Sequence, residues 1–324
     1  MSYKFCHRLK NALFFSNNDI IHCCSGEEQT SPKFMDNYYG EFFDKNLLYE
    51  SKKSAQLRAK NGEVPFKACE NCHSFTEEEW DDDLSIKDIS ISHWTACNCN
   101  CFYCYTAKDK NYFNTRKPYK LMPVLEEIKD IIDFNGVVRF IGGDVAMLEE
   151  FEQIVDFFYD NGMRDFYVPT SGIKFLPTIE KILLGGYGHV IVSVDSGNAE
   201  MYRKIKQVDC FDKVAENILR YISAANEGGS LFELKYILIP NLNDNVEQVR
   251  SWLDFAEKIG AKNLALDFEA SYLVQKPNEI PKSVVEMYNL IKNHCDDNGL
   301  HYGQFMYLSQ LLHGLENGRY KLAE

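Results

Sequence analysis

From about residue 120 onward, short apolar runs alternate with longer stretches whose apolar residues recur every three or four positions. The runs VVRFIGG (137–143), DFYVPT (165–170), HVIVSVD (189–195), FELKYILIP (232–240) and NLALDF (263–268) are rich in β-branched and aromatic residues and read as buried parallel strands. The intervening segments 119–133, 147–161, 177–184, 211–226 and 246–259 carry the spacing of amphipathic helices. KDISISHW (87–94) supplies an earlier strand. Such a βα series, with right-handed crossovers, leads to a barrel or to a doubly wound sheet.

Both architectures gather their sites at the C-terminal ends of the strands. The unusual residues of this chain fall there: a cysteine run after the first strand, Gly142-Gly143-Asp144 after the second, Ser171 after the third, Ser193 to Ser196 at the fourth, Asn243 and Asp244 after the fifth, and Glu269 after the sixth. Residues 1–86 break the alternation and carry an acidic run at 77–83, so they read as a separate small unit. The expected organisation is a cysteine-rich unit over 1–86, the βα series over 87–270 and a tail over 271–324 with helices at 281–296 and 304–316.

Composition narrows the function classes. A chain of 324 residues, 45% hydrophobic and 26% charged, can bury a sizeable core. A formal net charge of -13 disfavours nucleic acid and anionic membrane surfaces as partners. No apolar run is long enough for a signal peptide or a membrane span, so a cytoplasmic location is expected. In that reducing compartment eleven cysteines point to metal ligation or redox chemistry rather than to disulfides.

The densest cysteine stretch is HWTACNCNCFYC (93–104). Cys97, Cys101 and Cys104 can converge on one cluster while Cys99 points elsewhere, and three thiolates on a four-iron cubane leave one iron open to a small ligand. The bland alternative is a structural zinc, which takes four ligands and would make the chain a zinc-binding scaffold without enzymatic activity. In the leading segment Cys6, Cys23, Cys69 and Cys72 are enough for a second cluster or a zinc site. Cys24 is the weaker fourth ligand there.

CNCNCFYC resembles the CxxxCxΦC signature of the radical S-adenosylmethionine superfamily, with Tyr103 as the aromatic. IGGD (141–144) is similar to the family's Gly-Gly-Glu-like motif, SVDS (193–196) to its Ser-x-Asp-Ser, and KYILIPNLNDN (235–245) to its fifth strand and following loop. The resemblance covers most of 87–270 and implies a partial (β/α)6 TIM-like barrel, with a [4Fe-4S] cluster on Cys97, Cys101 and Cys104 and S-adenosylmethionine on the open iron. It further implies Gly142, Gly143 and Asp144 at the methionine amine, Ser193 and Asp195 at the ribose, Tyr103 and Ile237 beside adenine, and Arg203 at the carboxylate. Asp144 departs from the commoner Glu and is shorter by a methylene. Each has a bland counterpart: helix capping for Asp144, Ser193 and Asp195, packing for Tyr103 and a solvated charge for Arg203.

The spacing around Cys6, Cys23, Cys69 and Cys72 looks like the auxiliary-cluster extension called SPASM or Twitch, although that extension normally follows the barrel and here precedes it. The resemblance implies reductive cleavage of S-adenosylmethionine to a 5′-deoxyadenosyl radical, an electron donor such as flavodoxin or ferredoxin, and hydrogen abstraction from a substrate. An auxiliary cluster accepting the second electron suits oxidation of a carbohydrate-like small molecule; a cysteine donating hydrogen, with Cys210 and Cys295 unassigned, suits epimerisation. Modification of a peptide is the alternative enzyme reading.

Overall fold

The computed structural model describes residues 3–17, 19–23, 33–35, 38, 43–70, 72, 76–78, 83–104, 118–276 and 279–323. The chain divides into two compact units, Met1–Ala96 with Phe113–Tyr167, and Cys97–Tyr112 with Val168–Glu324. Cys24 and the residues from Tyr105 to Lys117 lie outside the described set.

In the first unit the strands are β1 (Tyr3–Phe5), β2 (Ala12–Phe15), β3 (Ile20–Ile21), β4 (Lys33–Met35), β5 (Thr76–Glu78), β6 (Ile86–Ile91), β7 (Ile132–Phe140) and the start of β8 (Phe166–Thr170). β6 pairs in parallel with β7, Ile89 opposite Val138 and Ile91 opposite Phe140, and β7 continues in parallel to β8. On its other side β6 pairs in parallel with β2, Leu13 opposite Ile89 and Phe15 opposite Ile91, after which β3 and β4 add antiparallel. Leu13, Phe15, Ile89, Ile91, Val138 and Phe140, alternate positions of their strands, are all buried, while Asp88 and Arg139 between them form an ion pair on the other face.

The segment 1–86 therefore does not stand apart as the sequence suggested: its strand β2 extends the sheet begun by β6. Its helix Lys45–Lys60 begins where Asp44 caps it by accepting from the Asn46 N–H at 2.9 Å. The helix expected over 119–133 is also shorter. It spans Met122–Glu127, and the apolar residues from Ile132 on belong to β7. Gly136 is required in that strand, since a Cβ would come within 1.9 Å of the Lys87 carbonyl oxygen.

The second unit holds a parallel sheet of β9 (Gly188–Ser193), β10 (Leu231–Leu238) and β11 (Asn263–Phe268), joined by β13 (His301–Gln304) beside β11. A separate two-stranded parallel ladder pairs β12 (Glu279–Pro281) with β14 (Lys321–Ala323). The helices Pro177–Leu184 and Val246–Ile259 have the bounds read from the sequence, and Phe211–Gly228, Lys282–Asn298 and Met306–Glu316 differ by a few residues. Asn198 and Asn245 cap two helices by accepting from Met201 and Gln248 N–H groups. Tyr236 packs on Trp252 at 4.7 Å between ring centres, so one face of β10 meets the helix Val246–Ile259. Glu233, Lys235 and Ile237 alternate onto the opposite face. Among the described residues no helix is long and apolar enough to cross a membrane.

Candidate cofactor site

The residues after β6 run into the cysteine loop, and the glycine pair fixes their path. The Gly143 N–H donates to the Trp94 carbonyl at 2.9 Å and the Asp144 N–H to the Ala96 carbonyl at 3.0 Å. The buried Trp94 indole donates to the Asp144 carbonyl at 2.9 Å. A Cβ on Gly142 would stand 2.5 Å from the Trp94 oxygen, and one on Gly143 2.2 Å from the Ala96 oxygen. Two glycines are thus needed for backbone to lie on backbone here. The Asp144 carboxylate is buried and accepts from the Ala146 N–H at 2.8 Å, capping the turn Val145–Met147.

In the second unit the cysteine loop is pinned to the end of the helix Ala199–Lys206. The Asn100 N–H donates to the Lys206 carbonyl at 3.0 Å, the Phe102 N–H to the Ile205 carbonyl at 3.3 Å, and the Asn100 amide to the Gln207 side-chain oxygen at 2.7 Å. Gln207 itself adopts a left-handed φ of 56° that ends the helix. The Cys104 N–H closes a turn on the Cys101 carbonyl at 3.1 Å. Phe102 and Tyr103 pack on Met201, Ile205 and Ile239. Cys97 is exposed, and Cys99, Cys101 and Cys104 are half-buried.

Behind this loop lies a closed polar group. The Tyr103 hydroxyl donates to Asp195 Oδ2 at 2.6 Å, and the Lys206 ammonium donates to the same oxygen at 2.5 Å and to the Tyr103 hydroxyl at 3.2 Å. Asp195 Oδ1 accepts from the Ile237 N–H at 2.9 Å. The Asn243 amide binds the Asp195 and Ile237 carbonyls, and its oxygen accepts from the Ile239 N–H at 2.7 Å. Side-chain exposure is 3% for Lys206 and 0% for Asp195, and Asp195 holds a left-handed φ of 60°. Burial opposes the Lys206 charge, but Asp195 and then Cys101 and Cys99 outweigh it, and its pKa lies above the ordinary lysine value.

These surroundings acidify one thiol. A hydrogen bond from the Cys99 thiol, against burial, together with the Lys206 charge and the Tyr103 hydroxyl, brings Cys101 down to about 6. The Cys99 thiol, tied to both Cys101 and Cys97, is pushed up correspondingly. Tyr202, wholly buried on the same helix, has a hydroxyl without a hydrogen-bond partner and lies within electrostatic reach of Cys99, Cys210 and Cys101. Sulfur donors, an acidified thiol, a buried ammonium and an orphaned hydroxyl suit an anionic thiolate-bound cluster.

The remaining sequence-predicted residues are dispersed. Ser193 and Ile237 are half-buried at the ends of β9 and β10. Asp195 is sealed away from any ligand in this arrangement and does not cap the helix after it, since Asn198 fills that position. Arg203 points to solvent, 3.9 Å from Asp209. Cys210 is half-buried at the N-cap of the helix Phe211–Gly228, and Cys295 is wholly buried, its thiol raised to about 11 by burial.

The sequence reading passed over Lys206, although Met201, Tyr202 and Ile205 mark the buried stripe on which it lies. It also passed over half-buried Lys235 and buried Asp267, 2.8 Å apart on the β10 face opposite Tyr236, where Asp267 also accepts from the Leu308 N–H at 3.4 Å, and His189 beside Glu233 at 2.5 Å on the same face. Lys235 lies 4.2 Å over the Phe305 ring.

In the first unit the expected auxiliary cysteines gather around the helix Lys45–Lys60. Cys6 packs with Leu9, Ala55, Ala59 and Phe66, and Cys23 and Cys69 are buried while Cys72 is half-buried. Cys6, Cys69 and Cys72 interact electrostatically; burial, and then its two neighbours, raise Cys69 to about 11. Lys52 is buried and donates to the carbonyls of Leu9, Lys10 and Ala12 at 3.1, 3.0 and 2.9 Å. Burial brings it down to about 7, opposed by Cys23 and Cys6. The Cys72 N–H closes on the Cys69 carbonyl at 3.4 Å, the turn also seen between Cys104 and Cys101. Among the described residues no group of three or more His, Cys, Asp or Glu side chains is set to hold a single metal ion.

A parallel βα chain with a glycine-paired cysteine loop after a strand defines an α/β enzyme of the partial TIM-barrel class. The profile of the radical SAM superfamily matches residues 91–254, and the chain belongs to that family, whose members use a [4Fe-4S] cluster and S-adenosylmethionine. The chain is 25% identical over 233 residues to "Probable GTP 3',8-cyclase" of Sulfurisphaera tokodaii, covering 70% of this chain and 72% of the relative. It is 26% identical over 183 residues to a protein of the same name from Saccharolobus islandicus and spans only 56% of that relative's length, as of its own. The structure "Native anSMEcpe with bound AdoMet" matches with a TM-score of 0.50 at 15% identity, over 72% of this chain and 67% of that one, which shows the fold.

Proposed function

We propose that this radical SAM enzyme oxidises or epimerises a small hydroxylated substrate, with Cys97, Cys101 and Cys104 holding the S-adenosylmethionine cluster and Cys6, Cys23, Cys69 and Cys72 an auxiliary one. The chemistry a bound [4Fe-4S] cluster and cofactor supply is one-electron cleavage to methionine and a 5′-deoxyadenosyl radical. A flavodoxin- or ferredoxin-class donor provides that electron, and the cysteine usage fits a cytoplasmic setting. Gly142, Gly143, Asp144, Ser193 and Ile237 are the residues proposed to meet the cofactor, with the Tyr103 ring beside them. Asp195 serves the site from behind by holding Lys206 and Tyr103. Arg203 turns to Asp209, and Lys235 takes over as the cationic group at the level of Ser193.

The substrate class rests on one observation. The face of β10 opposite Tyr236 carries Ser193, Lys235 and Asp267 at its C-terminal end, where the helix Met306–Glu316 reaches Asp267 through the Leu308 N–H at 3.4 Å, and His189 with Glu233 below them. Paired hydrogen-bonding groups of this kind match a polyhydroxylated molecule better than an apolar one. GTP cyclisation is the activity named for the relatives, of which the chain covers 72% and 56%, and GTP belongs among the hydroxylated substrates to be tested.

Anaerobic reconstitution tests the assignment. About eight irons per chain are expected, falling to about four in the Cys69→Ala/Cys72→Ala variant, which still forms 5′-deoxyadenosine with dithionite and S-adenosylmethionine. Cys101→Ala is expected to form none. Zinc without iron, or equal deoxyadenosine from Cys101→Ala, refutes the proposal. Product mass and solvent deuterium uptake then separate oxidation from epimerisation, and turnover of a peptide instead of a sugar overturns the substrate class.

A further inference from the structure

The helices Phe211–Gly228, Val246–Ile259 and Lys282–Asn298 each end on a glycine with a left-handed φ, 74° at Gly229, 73° at Gly260 and 65° at Gly299. The helix Ala199–Lys206 ends in the same conformation on Gln207, at φ 56°. A side chain beyond Cβ makes that backbone costly, except for Asp and Asn, the types found at the left-handed positions Asp195 and Asn241. Glutamine where glycine is usual therefore carries strain that the helix end does not itself require. The side chain shows what it serves, because Gln207 Oε1 accepts from the Asn100 amide at 2.7 Å.

Asn100 directly precedes Cys101. Its N–H donates to the Lys206 carbonyl at 3.0 Å, and the Phe102 N–H, on the other side of Cys101, donates to the Ile205 carbonyl at 3.3 Å. Last-turn carbonyls have no partner within their helix, so the loop satisfies them while they hold it. The other asparagine of CNCNC faces a different element: the Ser171 hydroxyl donates to Asn98 Oδ1 at 2.8 Å.

We propose that Gln207 is a positioning residue for the cysteine loop, its strained backbone kept at the helix end so that its side chain holds Asn100, and through it Cys101, in place for the cluster. This rests on the reading that Cys97, Cys101 and Cys104 bind that cluster. The hold itself belongs to the polypeptide and precedes iron. A loop fixed before and after Cys101 loses less conformational freedom when the sulfur is bound, and a bound sulfur so held leaves the metal more slowly.

Such a trade gives Gln207→Gly opposite effects on the fold and on the loop, which a residue kept for the fold alone does not. Full-length Gln207→Gly, Gln207→Glu, Asn100→Ala and the Gln207→Gly/Asn100→Ala double are compared with wild type. The iron-free chain is read by its urea midpoint and by amide hydrogen exchange at Asn100 and Phe102, and the reconstituted protein by its rate of iron loss to a ferrous chelator. Gln207→Gly is expected to raise the midpoint, speed the exchange and lose iron about fivefold faster, the rate equivalent of one hydrogen bond. Asn100→Ala should match it in exchange and iron loss without the rise in midpoint, and the double should lose iron no faster than either single variant. Gln207→Glu keeps an acceptor for the Asn100 amide and should follow wild type in both loop measurements.

Wild-type exchange and iron loss in Gln207→Gly overturn the proposal, as does a lowered midpoint accompanying faster loss, or a Gln207→Glu protein that loses iron as fast as Gln207→Gly. These outcomes leave the cluster assignment intact. A wild-type chain that takes up no iron removes the assignment, and with it the purpose given to Gln207.

Discussion

Gly143→Ala is the most direct test of how the fold places the cysteine loop. The new Cβ would lie 2.2 Å from the Ala96 oxygen and 2.7 Å from the Thr95 carbonyl carbon, both backbone atoms with no rotamer to change. Restoring ordinary contact moves one chain by about 1 Å. That shift strains the Gly143 N–H bond to Trp94 at 2.9 Å and the Asp144 N–H bond to Ala96 at 3.0 Å. Overpacking costs roughly 1–3 kcal/mol, and each weakened bond adds about 1 kcal/mol at most, so about 3 kcal/mol of destabilisation is expected.

Ala96 directly precedes Cys97, so the displacement should also reach the ligand loop and lower iron per chain after reconstitution. The assay is the urea midpoint of the apoprotein together with iron content. Gly303→Ala is the control, because its Cβ would meet nothing nearer than Glu233 Oε1 at 3.4 Å. It should change stability by less than about 0.5 kcal/mol. A Gly143→Ala protein with wild-type midpoint and full iron would show that this backbone contact does not set the loop.

Two further predictions concern single side chains. His93 is 1% exposed, neither ring nitrogen has a hydrogen-bond partner, and burial, with the Lys120 charge adding, brings it down to about 4. Its folded value lies below the unfolded one near 6.5, so its stabilisation is complete above about pH 6.5 and is lost as pH falls towards 4, by roughly 3 kcal/mol. Urea midpoints of the apoprotein at pH 7.5 and 4.5 should therefore differ less in His93→Leu than in wild type, and equal differences would refute this. Cys99→Ser should retain full iron under the proposed assignment, which leaves Cys99 out of the ligand set; loss of iron would put the ligand register elsewhere.

The strands of the βα series were legible because parallel strands covered on both sides are apolar throughout, as Val190, Ile191 and Val192 show in β9. Helices such as Val246–Ile259 were legible from spacing and from a capping Asn followed by a glycine terminator. What escaped the sequence depends on distant partners. Strand β13 reads HYGQ, has no apolar run and exists because it pairs with β11. β2 joins the sheet only through β6, more than seventy residues on. The SVDS motif suggested a ribose contact, but Asp195 is claimed by Tyr103 and Lys206, the former 92 positions away. A lysine is normally read as solvated, so the stripe of Met201, Tyr202 and Ile205 did not flag Lys206 as buried.

Both cysteine sets adjoin a buried lysine, and the two lysines differ in a way that bears on the auxiliary site. Lys206 has its own carboxylate, so its charge persists whether or not anything is bound at Cys101. Lys52 is held by three carbonyls, dipoles that orient an ammonium but carry no net counter-charge, and burial brings it down to about 7. The groups that favour its charge are Cys23 and Cys6. Thiolates become available there when a metal replaces their protons, because Cys69 and Cys6 are otherwise pushed up by burial. A cationic Lys52 and an anionic cluster on Cys6, Cys23, Cys69 and Cys72 therefore stabilise each other, whereas a protonated, metal-free set leaves the ammonium buried without compensation. On the proposed auxiliary assignment that mutual dependence favours a metal-bound state of the cysteines beside Lys52, while the packing of Cys6 on Leu9, Ala55 and Ala59 is already closed without it.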